Sequence, residues 1–356
     1  MDIVEKKIIS IGGGGFTHQT DKFLPFAENP HLVNPKEGFI VSANNDPKLS
    51  LKNLRRIPGY YSNGQRYQRI KNLIQKHKGK WDLTSMRALQ MDDKDSIHKK
   101  IVPVLLKSVA SKKHSKNSEL ALKTLKDWNG SHQLKDVGPT IYYMFISHMV
   151  YYVFEKKLSG DLYRHLLGSH HLYSVTEFLI NKPQSVWWNI SPDLNTQEKV
   201  LQKAWSETMK TLTRDIGGNV SQWHWGKVHV LEQEHPIGKK KPFNLIFNVG
   251  PTPLTGGYET VDKESFHLST QLPFKVKSGP STRRLIDLVD TKSSLGINPK
   301  GQAGYFFDVH YADQLELFAK GEYREQIMDM KKVKSQNPKT LTFVRKQDPQ
   351  KHNDKK

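Results

Sequence analysis

Residues 23–47 read FLPFAENPHLVNPKEGFIVSANNDP. The first part is a proline-rich loop, because Pro25, Pro30 and Pro35 each lack the backbone N–H that regular structure needs. Residues 39–43, FIVSA, are a short run of β-formers and are expected to form a strand. Ala-Asn-Asn-Asp-Pro ends it. Asn and Asp side chains bond their own backbone and tolerate left-handed conformations, so these five residues read as a turn.

Working outward, residues 6–11 read as a strand running into four glycines, Gly12 to Gly15. Downstream the period changes. Residues 66–76 are expected to be helical, with Tyr67, Ile70, Leu73 and Ile74 on one face. Thr84 is the expected cap of a helix containing residues 86–91. Helices are also expected over 97–109, with Pro103 kinking it or marking its start, and over 119–128, 141–157 and 198–215. Residues 111–118 form a lysine-rich connector. From Gly217 the chain is rich in Gly, Pro and β-formers. Strands are expected at 243–249, 272–276, 285–289 and 340–345, and a helix at 313–320. Helices in the middle (66–215) and strands toward the end (217–346) predict an α+β fold rather than an alternating βαβ one. Residues 347–356 are a charged tail.

The composition is compatible with a packed core: 36% of the 356 residues are hydrophobic, with seven Trp, 13 Tyr and 15 Phe. The absence of cysteine excludes disulfides, thiolate metal sites and a Cys nucleophile. The formal charge of +20 leaves a nucleic-acid partner open as a reading, but the lysines are scattered and no zinc-finger, RNP-like or basic-zipper pattern accompanies them. A solvated basic surface is the expectation. Residues 141–154 are apolar almost all round but only about 14 long, which predicts a buried helix and no membrane span. The first residues hold no apolar run of signal-peptide length, so the chain as it stands reads as cytoplasmic.

Five stretches, in one order, resemble the penicillin acylases and their acyl-homoserine-lactone acylase relatives. They are residues 23–47; GYYSNGQRYQRIKNLIQ (59–75); WHWGKVHVLEQEHPIG (223–238); NVGPTPLTGGYETV (248–261); and 279–323, containing GPSTRRLIDLVD, GQAGYFFDVHYADQ and KGEY. The resemblance covers residues 22–346 as the C-terminal part of that family's catalytic chain. It implies a partial N-terminal-nucleophile hydrolase fold, an αββα sandwich, with a helical middle section. Residues 1–21 do not share it. KKIISIGGGGFTHQTD resembles instead the opening of peptidase-E-like Ser dipeptidases.

What the family resemblance implies is hydrolysis of N-acyl amides by an N-terminal Ser whose own α-amine is the base; the reference pKa of such an amine, about 7.7–8.0, suits that task. Asn44 matches the family's oxyanion-hole Asn, a neutral donor to the developing negative charge. Without the resemblance it would read as part of a plain turn. Arg66 matches the family's active-site Arg, which orients the Asn or the substrate. The alternative is a surface Arg in a first helical turn, an unfavourable place for a cation. The nucleophile is expected to be absent, since the Gly-Ser pairs Gly130-Ser131 and Gly168-Ser169 both follow Asn44. This chain alone is therefore expected to be inactive: an incomplete hydrolase whose partners are a small N-acyl amide and a separate upstream chain, or a non-catalytic remnant that binds. No cofactor or metal is expected, because the family's calcium is held mainly outside the matching part. His224, His229 and His235 lack metalloprotease spacing and are expected to line a loop. Asp287 and Asp290 are expected to be hydrogen-bonded structural residues, and Trp187 and Trp188 to pack in the core or at its rim.

Overall fold

The computed structural model describes residues 29–49, 61–169, 171–336 and 338–344. The strand expected at 6–11, the glycine run, the atypical segment 1–21 and the tail lie outside these residues. The chain divides into two units, Met1–Gly64 and Gln65–Lys356.

In the first unit, Gly38 N donates to Pro35 O at 2.9 Å and Gly38 takes φ +75°, a conformation that favours glycine. The strand expected at 39–43 does not form. A strand needs a neighbour for its backbone N–H and C=O groups, and among the described residues this stretch has no ladder partner. Pairing starts one turn later, at a single parallel bridge between Asn45 and Ser62. Pro47–Leu49 is one 3-10 turn, with Lys48 N donating to the Asp46 carboxylate at 2.9 Å.

The second unit begins with helices α1 (Gln65–Lys76), α2 (Leu83–Gln90), α3 (His98–Val109) and α4 (Lys116–Asp127). Asp82, not Thr84, caps α2: it and Ser85 satisfy each other's backbone N–H in a capping box. Thr84 falls inside the first turn. Pro103 sits within α3 without ending it. Helix α5 (Gly138–Phe154) is buried on nearly every side, as its uniform apolarity predicts. Two helices not anticipated from periodicity follow, α6 (Gly160–Leu167) and α7 (Leu172–Ile180). Helix α8 (Gln197–Ile216) starts on a Thr196 cap and buries Val200, Leu201, Ala204, Trp205, Thr208 and Leu212 against α5 and α3. The core is continuous through these helices and includes Trp223, Trp225, Phe266 and Phe274. Among the described residues no helix is long and apolar enough to cross a membrane.

After a short helix α9 (Trp225–Val228) the strands begin: β1 (His229–Gln233), β2 (Val249–Pro253), β3 (Ser265–Phe266) and β4 (Phe274–Ser278) form one sheet in the order β2-β1-β4-β3. Its β1–β4 pairing is parallel and the other two are antiparallel. An antiparallel sheet follows, β5 (Arg283–Leu285), β6 (Leu295–Ile297) and β7 (Arg324–Glu325). Helices α10 (Asn244–Phe247), α11 (Leu315–Ala319) and α12 (Met330–Ser335) complete the unit.

Three further expected strands are corrected. Residues 244–247 are a surface turn of helix with Leu245 and Ile246 exposed, and pairing starts only at Val249. The strand expected at 285–289 stops at Leu285: Leu288 and Val289 are solvent-exposed, Asp287 accepts from Val289 N at 2.9 Å, and Asp290 caps a 3-10 turn. Both carboxylates are hydrogen-bonded, on the surface rather than in a strand. Residues 340–344 are exposed and unpaired as a strand. In each case the apolar run had no sheet neighbour to cover it. Trp188 is fully buried and Trp187 packs on Phe154 at 5.1 Å, both as expected.

Candidate functional site

The two Asn residues of the turn behave differently. Asn45 is buried, and its side chain is consumed locally: Oδ1 accepts from Ala43 N at 3.0 Å and Nδ2 donates to Asp46 O at 3.0 Å. Asn44 is exposed and takes φ +58°, the left-handed region that Asn tolerates better than most residues. Its carbonyl accepts from Ser62 N at 2.7 Å. The backbone of the turn is thus held by Asn45 and Ser62, and Asn44 lies at the surface.

Arg66 stands in the first turn of α1. Its burial lowers the guanidinium pKa, with Glu259 acting in the opposite sense. One turn on, Arg69 donates through Nε (2.8 Å) and Nη2 (2.6 Å) to both oxygens of Asp92. The carbonyl of Asp92 accepts from Asp262 N at 2.9 Å. Helix α1 is therefore pinned to the loop of residues 254–264, and Arg66, three residues before Arg69 on the same face, lies on the loop side of the helix.

That loop is built on glycines. Gly256 takes φ +73°, and a Cβ there would meet Asp262 O at 2.1 Å. At Gly257 a Cβ would meet the His132 ring at 2.8 Å. Gly257 N donates to Thr260 Oγ1 (2.8 Å), and Glu264 N donates to Gly257 O (2.9 Å). The result presses three acids into the interior: Glu259, Asp262 and Glu264 are each at most 5% exposed. Asp262 and Glu264 share Arg283 Nη2 at 2.7 and 3.1 Å. Burial raises the pKa of both carboxyls against the pull of Arg283. Glu259 is pushed up to about 7 by burial, with Lys263 and Arg66 pulling it down and Asp95 pushing it further up. Sequence reasoning did not single out Glu259 or Lys263. The available signal was the density of charge in GGYETVDKESF, an unusual content for a glycine-rich turn flanked by core strands.

The histidines hold the scaffold around this loop. His132 Nδ1 lies 2.9 Å from Asp93 O and 2.8 Å from Gly130 O, so it carries the proton and donates to both; Nε2 then accepts from Tyr143 Oη at 3.2 Å. His229 is not in a loop. It is buried in β1, stacked on Trp225, with its two nitrogens 2.9 Å from Leu254 O and 3.0 Å from Glu264 O. Burial lowers its pKa to about 4 against those carbonyls, and a neutral ring donates to only one of them. His224 precedes α9, and His235 accepts from Ile237 N at 3.2 Å. Among the described residues no group of three His, Asp or Glu is placed to hold a metal. The serines of the two Gly-Ser pairs are hydrogen-bonded: Ser131 Oγ donates to Asp93 (3.3 Å), and Ser169 Oγ accepts from His171 N (3.1 Å) while its carbonyl accepts from Tyr258 Oη (3.1 Å).

A family model described as penicillin amidase matches residues 5–335. The acyl-homoserine lactone acylase QuiP of Pseudomonas fluorescens Pf-5 is 21% identical over 336 residues, which cover 89% of this chain and 40% of that protein. Its counterpart from Pseudomonas syringae pv. syringae B728a is 22% identical over 329 residues, 85% of this chain and 39% of that protein. The chain thus spans about two fifths of the length of these relatives. Among solved structures, a thermostable penicillin G acylase from Alcaligenes faecalis superimposes with a TM-score of 0.53 at 14% identity, over 92% of this chain and 60% of that one. This likeness shows the fold: a mixed α+β structure of the N-terminal-nucleophile hydrolase type.

Proposed function

The chain belongs to the penicillin amidase family, and on that basis we propose that it carries the oxyanion and substrate-orienting side of a site that hydrolyses N-acyl amides. The observation that carries this reading is the turn at Asn44: an exposed residue at φ +58° on a backbone held by Asn45 and Ser62. In the proposed reaction a Ser hydroxyl attacks the acyl carbon and its α-amine takes the proton. Asn44 Nδ2–H donates to the tetrahedral oxyanion, and Arg66 orients a polar part of the substrate. Loss of one such donor costs on the order of 3–4 kcal/mol in the transition state.

The nucleophile is proposed to lie outside residues 1–356. Both Gly-Ser pairs follow Asn44; Ser131 Oγ donates to Asp93 and Ser169 Oγ accepts from His171 N. Activity then requires a Ser-led segment beyond these residues, and residues 1–356 by themselves bind N-acyl amides without cleaving them. A small N-acyl amide is the proposed substrate; the names of the acyl-homoserine lactone acylase relatives support that class. No nucleic-acid role is proposed.

The test is to incubate the purified chain at pH 6.5 with N-hexanoyl-homoserine lactone and, separately, with N-phenylacetyl-4-nitroaniline, following acid release and the Asn44 side-chain amide signal by NMR. The expected outcome is a ligand-dependent shift of that signal with no release. Asn44-dependent release overturns the displaced nucleophile. Absence of any shift with both probes overturns Asn44 as part of an amide site.

A further inference from the structure

Residues 235–248, HPIGKKKPFNLIFN, hold three lysines and no acid. The stretch closes on itself at its base. His235 N donates to Asn248 Oδ1 at 3.0 Å, and the His235 ring stacks on Phe247 at 5.1 Å. A Cβ at Gly238 would meet Asn248 Oδ1 at 2.0 Å, so the loop closes there only around a glycine. Between these contacts the side chains face solvent. Lys239, Lys240 and Lys241 are exposed, and so are Ile237, Phe243, Leu245 and Ile246. None of the four residues of α10 is buried.

A second loop, residues 301–311, meets the first. Tyr311 Oη donates to Phe247 O at 2.7 Å, and the Phe306 and Phe247 rings are 4.5 Å apart. Phe306 in turn lies 5.6 Å from the Tyr305 ring and 4.1 Å from that of Phe307. Ala303 N donates to His310 O at 3.2 Å and ties the ends of this loop together. Tyr305, Phe307 and Val309 are exposed. Leu245, Phe307 and Val309 are each at least 74% exposed, too open to count as the rim of a core. Lys300 stands over the Tyr311 ring at 3.4 Å and adds a further cation. Of the acids beside the loops, Glu232 pairs with Lys275, Asp308 accepts from His310 N at 2.8 Å, Asp313 faces His310 Nδ1 at 2.8 Å, and Glu234 is exposed.

Contiguous apolar side chains at a surface, rimmed by polar ones, mark an interaction site. The lysines decide between occupants. Lysine is depleted from protein–protein interfaces, and two copies meeting through this face would bring two tri-lysine segments together. An anionic bilayer complements both features: its phosphates attract the lysines, and its acyl boundary accepts aromatic and aliphatic side chains. We propose that loops 235–248 and 301–311 form a docking surface for an anionic lipid bilayer. Phe243, Leu245, Ile246 and Phe307 enter the acyl boundary, and Lys239, Lys240 and Lys241 lie on the headgroups. No spanning helix takes part, and the proposal does not rest on Asn44 or Arg66.

The experiment uses the full chain. It is mixed with vesicles of phosphatidylcholine alone, or with phosphatidylglycerol as about a third of the lipid. Preferential partition onto the anionic vesicles is expected, weakened in about 0.5 M NaCl by screening. A lysine near such a surface is worth about a factor of five, so Lys239→Gln, Lys240→Gln and Lys241→Gln combined should lose roughly a hundredfold. Lys112→Gln, Lys113→Gln and Lys116→Gln combined remove the same charge from exposed positions ahead of α4 and should change partition little. Leu245→Asn with Phe307→Asn should lose at least about tenfold. Because the chain has no cysteine, Leu245→Cys takes a single environment-sensitive fluorophore. Its emission should shift to the blue on anionic vesicles, while the same label on Leu288→Cys, also at an exposed position, should not shift.

Equal partition onto both vesicles, equal loss in the two lysine variants, or equal blue shifts at positions 245 and 288 overturns the proposal. So does a concentration-dependent dimer, seen by sedimentation and dispersed by Leu245→Asn, in a chain that does not partition; that result assigns the face to a second copy. Every substituted residue is exposed, so urea midpoints equal to wild type are expected and show that each variant keeps the fold.

Discussion

Asn44 and Asn45 are indistinguishable as residue types, and the backbone assigns them opposite tasks. Asn45 accepts from Ala43 N and is buried; Asn44 absorbs the left-handed φ of +58° and stays exposed. Substitutions at the two positions should therefore fail in different ways. Asn45→Ala removes the side-chain acceptor of a buried N–H, a loss of about 1–3 kcal/mol. Hydrogen exchange at the Ala43 amide should accelerate by one to two orders of magnitude. Asn44→Gly keeps the conformation, because glycine adopts positive φ without a Cβ penalty, so exchange at Ala43 should be unchanged while the amide donor is gone. Asn44→Ala adds strain of roughly 1–2 kcal/mol. Equal exchange in Asn45→Ala and wild type would contradict the division of labour, whatever the binding result.

At the scale of elements, Arg283 shows what local pattern cannot carry. It lies in β5 and donates to Asp262 and Glu264, which precede β3 in the other sheet. It also donates to Phe318 O in α11 at 2.8 Å and stacks on the Phe318 ring at 4.0 Å. One buried guanidinium joins two sheets and a helix. Arg283→Met should leave two buried carboxyls without their cation and cost about 3–5 kcal/mol, read as a lower urea midpoint. Adding Glu264→Gln should recover part of that loss, and no recovery would mean that packing on Phe318 dominates. The sequence marked Arg283 only as part of the matching stretch 279–323. Long helices were legible because their apolar residues repeat over several turns, as in α8. Strands of two or three residues, such as β3 and β7, offer no period to read, and apolar runs such as 243–249 read as strands although no neighbour pairs with them. Asn44 and Arg66 were singled out through their neighbours in the matching motifs. Glu259 was not: its burial is conferred by α1 and by the His132–Tyr143 wall behind Gly257, both distant in sequence.

For the whole molecule, the buried ionisable groups pull stability in opposite directions with pH. His148, bonded to Thr211 Oγ1 at 3.0 Å between α5 and α8, has its pKa lowered from 6.5 to about 4 by burial. A depressed folded pKa means that the unfolded chain takes up the proton first. The contribution of His148 is thus full above about 6.5 and lost as pH falls toward 4. The displacement is worth roughly 3 kcal/mol. Glu259 has the opposite sign. Its pKa rises from 4.5 to about 7, so its contribution is full below 4.5 and lost as pH rises through 7. It too is worth roughly 3 kcal/mol. Absolute curves mix these with Asp262, Glu264 and His229, so the differences between variants are the sharper measurement. His148→Asn keeps a polar side chain for Thr211 and should gain on wild type as pH falls from 6.5 to 4. Glu259→Gln should gain on wild type as pH rises from 4.5 to 7.5, with the two stability curves parallel outside that window. Urea midpoints at pH 4.5, 6 and 7.5 test both at once. A Glu259→Gln difference that does not change across the three values means that Glu259 is ionised throughout, stabilised by Arg66 and Lys263 more strongly than burial opposes it.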